Sequence, residues 1–262
     1  MNKIVVISGG SSGLGAALKE KFLQAGDTVI DLSRSASGGA NSANDIAVAC
    51  DVTKEADIAA AVETVRRGFG RIDILINNAG FGLIGATEML PAAAVSAVMD
   101  VNYTGSFLLS KACLPLMKRS ARIINISSIC ALLSVPYRGV YCSAKAAQSM
   151  LSLSMRTELK NSGIKVVCVC PGEIDTPFPK NRIIVADTND RYGDAPQRDA
   201  ERIERRAEKR MSLSYAAKKI FRIADRKSGP LYIVGKKYKL FYLAQKILPF
   251  SWFFALSEKA FK

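Results

Sequence analysis

The chain has 262 residues, nearly half of them apolar, which is enough for one large domain, and no uncharged apolar run reaches the roughly 20 residues that span a bilayer. It contains no histidine, and this excludes the Ser-His-Asp triad, the Cys-His dyad and histidine-ligated zinc. The net charge is +14, and residues 201–262 hold 16 Lys and Arg against 5 Asp and Glu, so the basic C-terminal segment favours an anionic surface, either lipid or nucleic acid.

Short β-branched runs alternate with helical stretches along the chain. This βαβα alternation predicts a doubly wound α/β fold with a parallel sheet of about seven strands in a single domain. Several runs are apolar throughout, as expected for strands that are buried on both faces. The predicted strands are Ile4–Ser8, Thr28–Leu32, Ile46–Cys50, Ile72–Ile76, Arg122–Ser127, Lys165–Cys170 and Leu231–Val234. The clearest predicted helices are Gly13–Ala25, Lys54–Arg67, Ala92–Lys118 and Val140–Asn161.

The first strand leads into a glycine-rich turn, Ser8-Gly9-Gly10-Ser11-Ser12-Gly13-Leu14-Gly15, which opens a helix. Glycines let the backbone approach a pyrophosphate closely, and the helix N-terminus offers free N–H groups and a positive dipole end. The spacing is Gly-x-x-x-Gly-x-Gly, which differs from the more general Gly-x-Gly-x-x-Gly fingerprint. The turn predicts a dinucleotide site, and a tight strand-to-helix turn without a ligand is the alternative.

The end of the second predicted strand bears on the choice between NAD and NADP. An acidic residue at the tip of this strand binds the ribose hydroxyls of NAD, whereas an arginine accommodates the 2′-phosphate of NADP. Arg34 therefore favours NADP, and Asp31 lies inside the strand rather than at its tip. An ordinary surface arginine is the alternative interpretation of Arg34.

Six cysteines are present, and none forms a Cys-x-x-Cys pair. Cys168 and Cys170 lie in a predicted strand. We expect reduced, buried thiols, with no disulfide and no metal site, in a cytoplasmic protein.

A Tyr-x-x-x-Lys pair, Tyr141 and Lys145, follows Ser128 by thirteen residues. Residues four apart share one helix face, so the Lys145 ammonium can lie beside the Tyr141 phenol. A nearby cation lowers the pKa of a phenol from about 10 toward neutral pH, which makes the tyrosine a usable general acid or base. The pair alone would equally suit a solvated helix face.

Together these motifs resemble the classical short-chain dehydrogenase/reductase family over about Lys3 to Val234. The resemblance also rests on Asp51-Val52, Asn77-Asn78-Ala79-Gly80, Asn102 and Pro171-Gly172, in the same order and spacing. It implies a Rossmann-like fold and interconversion of a carbonyl and a secondary alcohol with NADP(H). Tyr141 then exchanges a proton with the substrate oxygen, Lys145 lowers the phenol pKa and holds the nicotinamide ribose, and Ser128 polarises the substrate carbonyl. Asn102 holds a water for proton relay.

The resemblance also implies the cofactor contacts. Ser8, Gly9, Ser11, Ser12, Gly13, Leu14 and Gly15 hold the pyrophosphate, while Asp51 and Val52 contact adenine. Asn78, Ala79 and Gly80 line the adenosine and ribose path, and Pro171, Gly172 and Thr176 contact the nicotinamide end. The sequence departs from the family in having Ser8 for threonine, and Ser12 where NADP users often carry a basic residue. The NADP preference thus rests on Arg34.

Two segments lie outside the catalytic pattern. Residues 173–212 follow a strand end and are predicted to form a substrate lid on the domain, which spans 1–235. Residues 236–262 form a basic amphipathic helical tail that Pro249 divides. The favoured interpretation is that the tail packs against its own domain or a second subunit, and peripheral membrane contact is the alternative. A nucleic-acid partner is not expected, because no recognised base-reading motif is present.

The apolar tail and the long lid suggest a lipophilic substrate, such as a steroid, a retinoid or a long-chain ketone. The family resemblance implies a homodimer or homotetramer. The alternative function is non-catalytic NADP(H) binding by a regulatory or interaction module, although such a module has no need of Asn102, Ser128, Tyr141 and Lys145 together.

Overall fold

The computed structural model describes residues 2–36, 39–176, 178–186, 188–205 and 210–261. Those residues form an eight-stranded sheet of order β10-β8-β7-β5-β1-β2-β4-β3 and a small two-stranded sheet of β6 and β9. The strands are β1 Ile4–Ser8, β2 Thr28–Ser33, β3 Gly39–Ser42, β4 Asp45–Ala49, β5 Ile72–Asn77, β6 Leu83–Ile84, β7 Met117–Ile126, β8 Lys165–Pro171, β9 Ile183–Ile184 and β10 Leu231–Val234. Within the large sheet only the edge pair β3–β4 is antiparallel.

Helices cover both faces of the large sheet. They are α1 Gly13–Gln24, α2 Glu55–Phe69, α3 Ala92–Met99, α4 Gly105–Cys113, α5 Gly139–Glu158, α6 Ala195–Arg205, α7 Leu213–Arg226, α8 Lys236–Ile247 and α9 Phe250–Phe261. A π-helical segment, Asp100–Thr104, joins α3 to α4. The fold is therefore the predicted doubly wound, Rossmann-like α/β sheet with seven parallel strands.

Two apolar layers hold the helices on the sheet. On one face, Leu18 and Phe22 of α1 pack with Ile220 of α7 against inward residues of β1 and β5. On the other face, α2, α4 and α5 supply Ile58, Leu109 and Met155 to a second buried cluster. Because β1 lies between β2 and β5, the loops after β1 and β5 diverge at the carboxyl edge, and this opens a crevice there.

Two predicted boundaries were wrong. The helix predicted over Ala92–Lys118 is interrupted by the π-helical segment, and Met117 and Lys118 belong to β7. β7 begins five residues before the predicted Arg122 because Met117 pairs with Ile72 across a register shift. The antiparallel edge strand β3 and the pair β6–β9 were not predicted. The pair joins segments a hundred residues apart, a contact that no local pattern reports.

The segment predicted as a substrate lid, residues 173–212, contacts the rest of the domain through its described residues. Positions 177, 187 and 206–209 lie outside the described residues. β9 pairs in parallel with β6, and the buried carboxylate of Asp199 on α6 forms ion pairs with Arg138 and Arg202. The predicted tail forms two helices, α8 and α9, that meet at Pro249, and Lys262 lies outside the described residues. No helix in the described part of the chain combines the length and apolarity needed to cross a membrane.

Candidate active site

The glycine turn lies at the carboxyl end of β1, where the crevice opens. Gly9 adopts a φ of 70°, a conformation that favours glycine. A Cβ at Gly15 would overlap the Gly9 carbonyl oxygen, so only glycine allows the turn to close on the first turn of α1. This backbone cradle at a helix N-terminus fits a dinucleotide pyrophosphate.

Side chains beneath the turn fix its shape. The Ser8 hydroxyl accepts hydrogen bonds from the backbone N–H groups of Asn78 and Ala79 at 3.0 and 3.1 Å. The Asn78 amide donates to the carbonyl oxygens of Ser8 and Gly9 at 3.1 and 3.2 Å. Ser8 is buried and does not line the crevice, contrary to its predicted role as a cofactor contact, because its hydroxyl faces the end of β5.

Asp31 has a structural role that the sequence did not reveal. Its buried carboxylate accepts a hydrogen bond from the Gly10 N–H at 2.8 Å, so it anchors the glycine turn to β2. Burial raises the pKa of this carboxyl, while the Gly10 hydrogen bond opposes the shift. Asp31 is thereby absent from the crevice wall, whereas Arg34 at the strand tip lines it.

One crevice of about 980 Å³ brings the other predicted residues together. Among its lining residues are the glycine turn, the strand-end residues and the catalytic candidates: Gly9, Ser11, Ser12, Gly13, Leu14, Gly15, Arg34, Asp51, Val52, Asn78, Ala79, Gly80, Ser128, Tyr141, Lys145, Pro171, Gly172 and Thr176. Of the predicted site residues, Ser8 and Asn102 lie beneath this surface.

Ser128 and Tyr141 both line the crevice. Ser128 follows β7 in an extended conformation, and its hydroxyl accepts a hydrogen bond from the Cys130 N–H at 3.1 Å. Tyr141 is half-buried in the first turn of α5, and its ring centroid lies 6.0 Å from that of Phe178 in the lid. Burial raises the pKa of the phenol, and the hydrogen bond with Ser128 partly offsets this. The structure therefore does not show the expected lowering of this pKa.

Lys145 points beneath the tyrosine. Among the described residues its ammonium donates hydrogen bonds to the Ile126 carbonyl oxygen at 2.9 Å and to Gln148 Oε1 at 3.2 Å, and none goes to Tyr141. The side chain is buried, and this burial lowers the pKa of Lys145 to about 8. With this pKa the ammonium still holds its proton at neutral pH.

Asn102 lies within the π-helical segment and is fully buried. Its amide nitrogen donates to the carbonyl oxygens of Phe81 and Val98 at 2.9 and 3.0 Å. Its Oδ1 has no hydrogen-bond partner among the described residues, and a Cβ at Gly80 would overlap that oxygen. A π-helical turn is a common device at functional sites, and here it leaves an acceptor beneath the crevice floor.

Sequence analysis missed several residues that line the crevice beside the catalytic candidates. The lid contributes Phe178 and Ile183, and the segment before α5 contributes Arg138. The tail contributes Tyr238, whose hydroxyl accepts a hydrogen bond from the Glu173 N–H at 3.2 Å. The Tyr238 ring lies directly on Gly172, so no side chain could be added there. The sequence carries no signal for this contact between distant segments.

All six cysteines are free thiols, and four are buried as predicted. The prediction was wrong for Cys130 and Cys142, which are half-buried beside the catalytic candidates. Cys130 lines the crevice and follows Ser128, whereas Cys142 follows Tyr141. A hydrogen bond from the Cys142 thiol lowers the pKa of Cys130 to about 7.

The fold and this site define a nucleotide-dependent oxidoreductase of the α/β class. Residues 3–183 match the short chain dehydrogenase family, so the chain belongs to it and is an NAD(P)-dependent enzyme that acts on alcohol and carbonyl groups. It is 34% identical over 232 residues to a 3-ketodihydrosphingosine reductase of Bacteroides thetaiotaomicron, covering 87% of this chain and 86% of that protein.

A second relative is a 2-(R)-hydroxypropyl-CoM dehydrogenase of Xanthobacter autotrophicus, which is 34% identical over 70% of this chain and 79% of its own length. Among solved structures, a short-chain dehydrogenase from Streptomyces avermitilis superposes with a TM-score of 0.82. It is 28% identical and the match covers 94% of this chain and 92% of that one.

Proposed function

We propose that the protein interconverts a ketone and a secondary alcohol on a lipophilic substrate with NADP(H), using Tyr141 as the acid/base. The observation that carries the proposal is that Tyr141 and Ser128 line the same crevice as the glycine turn. The apolar side chains at the far end of that crevice leave room for a bulky apolar group.

The nicotinamide cofactor, when bound, supplies or accepts the hydride. The glycine turn fits its pyrophosphate, Asp51 and Val52 fit its adenine end, and Pro171, Gly172 and Thr176 fit its nicotinamide end. Ser128 orients the substrate oxygen by a hydrogen bond, and the Tyr141 phenol gives that oxygen a proton in reduction or removes it in oxidation. A protonated Lys145 near the phenol would stabilise the phenolate that this transfer leaves. The unpaired Asn102 Oδ1 can hold a water next to the lysine.

The direct test is Tyr141→Phe, which removes the hydroxyl and keeps the ring against Phe178. We expect turnover to fall by about a hundredfold to ten-thousandfold, with the dissociation constant of NADPH unchanged. Tyr215→Phe, at an exposed tyrosine on α7, is the matched control and should keep full activity. Unchanged turnover in Tyr141→Phe would refute the assignment. Cofactor binding without turnover by the wild-type protein on any ketone or alcohol would favour the non-catalytic module.

Preference for NADP rests on Arg34, which lines the crevice near Asp51. Its positive charge lowers the pKa of Asp51, after the larger effect of the Thr53 hydrogen bonds. Arg34→Ala should weaken NADPH binding roughly tenfold to hundredfold and leave NADH binding nearly unchanged. Arg67→Ala, at an exposed arginine on α2, is the control. Equal loss for both cofactors would refute the preference.

The lipophilic substrate is supported by the crevice wall beyond Tyr141. That wall contains Leu83, Ile84, Ile129, Leu133, Val135, Phe178 and Ile183. The Bacteroides relative is named for reducing 3-ketodihydrosphingosine, whereas the Xanthobacter relative is named for dehydrogenating a hydroxypropyl compound. The crevice wall favours the first kind of substrate. In a panel of ketones, kcat/KM should rise with chain length, and higher kcat/KM for small polar ketones would count against the proposal.

Assembly into a homodimer or homotetramer is part of the proposal. Phe107 on α4 and Met150 on α5 are 41% and 65% exposed, which leaves apolar side chains on both helices for a second subunit to cover. Light scattering on the purified protein measures the mass directly. A monomer at all concentrations would contradict this part.

A further inference from the structure

The tail has one face that packs on the domain and one face that nothing in the described chain covers. Phe253 is buried against Phe241, with ring centroids 5.2 Å apart, and the Gln245 amide donates to the Leu132 carbonyl oxygen at 2.7 Å. Tyr238 is held at Glu173. These contacts fix the orientation of α8 and α9, so the exposed face is a fixed surface.

That exposed face is apolar. Leu240, Leu243 and Ile247 are 70%, 52% and 71% exposed, and Phe250 and Trp252 are 76% and 67% exposed. Positions 240, 243 and 247 recur at helical spacing and form one stripe on α8, and Phe250 and Trp252 expose apolar side chains at the start of α9 beyond Pro249. We call these five residues the tail stripe. Half of the large apolar side chains that are exposed in the described residues lie in this tail, and such a concentration marks an interaction surface.

The charges beside the tail stripe have one sign. Lys236, Lys237, Lys239 and Lys246 are exposed, and residues 236–255 contain no Asp or Glu. In a two-fold dimer the stripe would meet itself, and lysines would face lysines with no carboxylate of the stripe to pair with them. An anionic bilayer offers an apolar interior for the stripe and negatively charged headgroups for the lysines. A twelve-residue helix such as α8 is about 18 Å long, which suits a helix lying in the interface.

We propose that the tail stripe docks on the surface of an anionic lipid bilayer and that the crevice takes its substrate from that bilayer. Tyr238 connects the two, because it belongs to α8 and also lines the crevice. Phe178 and Ile183 line the same crevice and are 36% and 37% exposed, so the lid rim is apolar as well. The source of the substrate rests on the proposed function, whereas the docking itself does not.

Vesicle flotation of the full chain tests the docking. We expect binding to phosphatidylcholine vesicles that contain about a quarter phosphatidylglycerol, weaker binding to phosphatidylcholine alone, and release at high salt. Ile247→Ser and Phe250→Ser should each lower the partition coefficient about tenfold, since each removes an apolar side chain that the bilayer would bury. Lys239→Gln should lower it about fivefold at low salt.

Matched controls lie outside the tail. Tyr215→Ser removes an exposed aromatic side chain from α7, where Lys219 lies 5.7 Å from its ring centroid, and Lys160→Gln removes an exposed lysine beyond α5. Both should bind as the wild type does. Absence of flotation with the mixed vesicles, equal binding to neutral vesicles, or equal losses in these controls would each overturn the proposal. A dimer in solution that Ile247→Ser dissociates would overturn it too and assign the stripe to a second copy.

These assays test the membrane docking and the catalytic proposal separately. Turnover of a short, water-soluble ketone needs no vesicle, and it should be the same for Ile247→Ser and the wild-type protein. A protein that turns over this ketone but does not float overturns the docking and leaves the catalytic proposal intact. A protein that floats but has no turnover on any ketone keeps the docking and overturns the catalytic proposal.

Discussion

The buried ammonium of Lys145 gives a quantitative prediction about stability and pH. Its pKa is about 8 in the folded chain against 10.5 in water, and each pKa unit corresponds to 1.36 kcal/mol. Below about pH 8 the unfolded chain holds this proton more strongly, so burial costs the folded state about 3 kcal/mol there. As pH rises from about 8 toward 10.5 the cost disappears. Relative to Lys145→Met, the wild-type protein should therefore gain about 3 kcal/mol of unfolding free energy over that window.

Urea unfolding of both proteins at a series of pH values measures this difference. Other titrating groups are common to the two proteins and cancel, except the Cys168 and Cys170 thiols, which interact with the lysine charge. The same pair of proteins in a background with both Cys168→Ala and Cys170→Ala removes that contribution. If the difference in unfolding free energy does not change with pH, Lys145 titrates near its ordinary pKa. That result would refute the burial of its ammonium beneath Tyr141.

Three further changes test the scaffold of the site. Gly15→Ala should weaken cofactor binding at least about tenfold in a fluorescence titration. Gly68→Ala on α2, where a Cβ meets open space, should bind the cofactor as the wild-type protein does. Equal affinities of the two variants would refute the close approach at the turn. Asp31→Ala should lower the unfolding free energy by about 1–3 kcal/mol in urea because the Gly10 N–H loses its partner, and no loss would contradict the anchor. Asp199→Ala should speed amide hydrogen exchange in α6, because the ion pairs of Asp199 hold this helix on the domain. Unchanged exchange would refute this role of the ion pairs.

Most of the sheet and the site surface followed from local sequence. A run such as Ile4–Ser8 is apolar at every position because both faces of the strand are covered by helices, and that pattern is visible without a structure. The glycine turn was predictable for a similar reason, since Gly15 is required by the backbone of Gly9, which is only a few residues away. The catalytic candidates Ser128, Tyr141 and Lys145 were predicted from the family resemblance, in which these residue types stand at fixed spacings along the chain, and all three line the crevice.

What the sequence did not predict depends on contacts between distant segments. The carboxylate of Asp31, on strand β2, accepts a hydrogen bond from the Gly10 N–H. Tyr238 extends from the tail to the crevice. The direction of Lys145 depends on where the Ile126 carbonyl lies, although its helical spacing from Tyr141 was correct. A local pattern can place a side chain on a helix face, but burial and the nearest acceptor then decide where its end points.

The π-helical segment Asp100–Thr104 carries one residue more than a regular helical turn would need. If the same residues formed ordinary α-helical turns, with none removed, everything beyond them would be rotated by about 100°. Leu109 and Cys113, both buried in the core, would then face away from the sheet. The irregular turn that leaves Asn102 Oδ1 free for ligands thus also sets the phase of α4. Deleting one residue here would instead restore an α-helix and keep the phase of α4, so we expect such a deletion to keep the core and to remove the Asn102 acceptor.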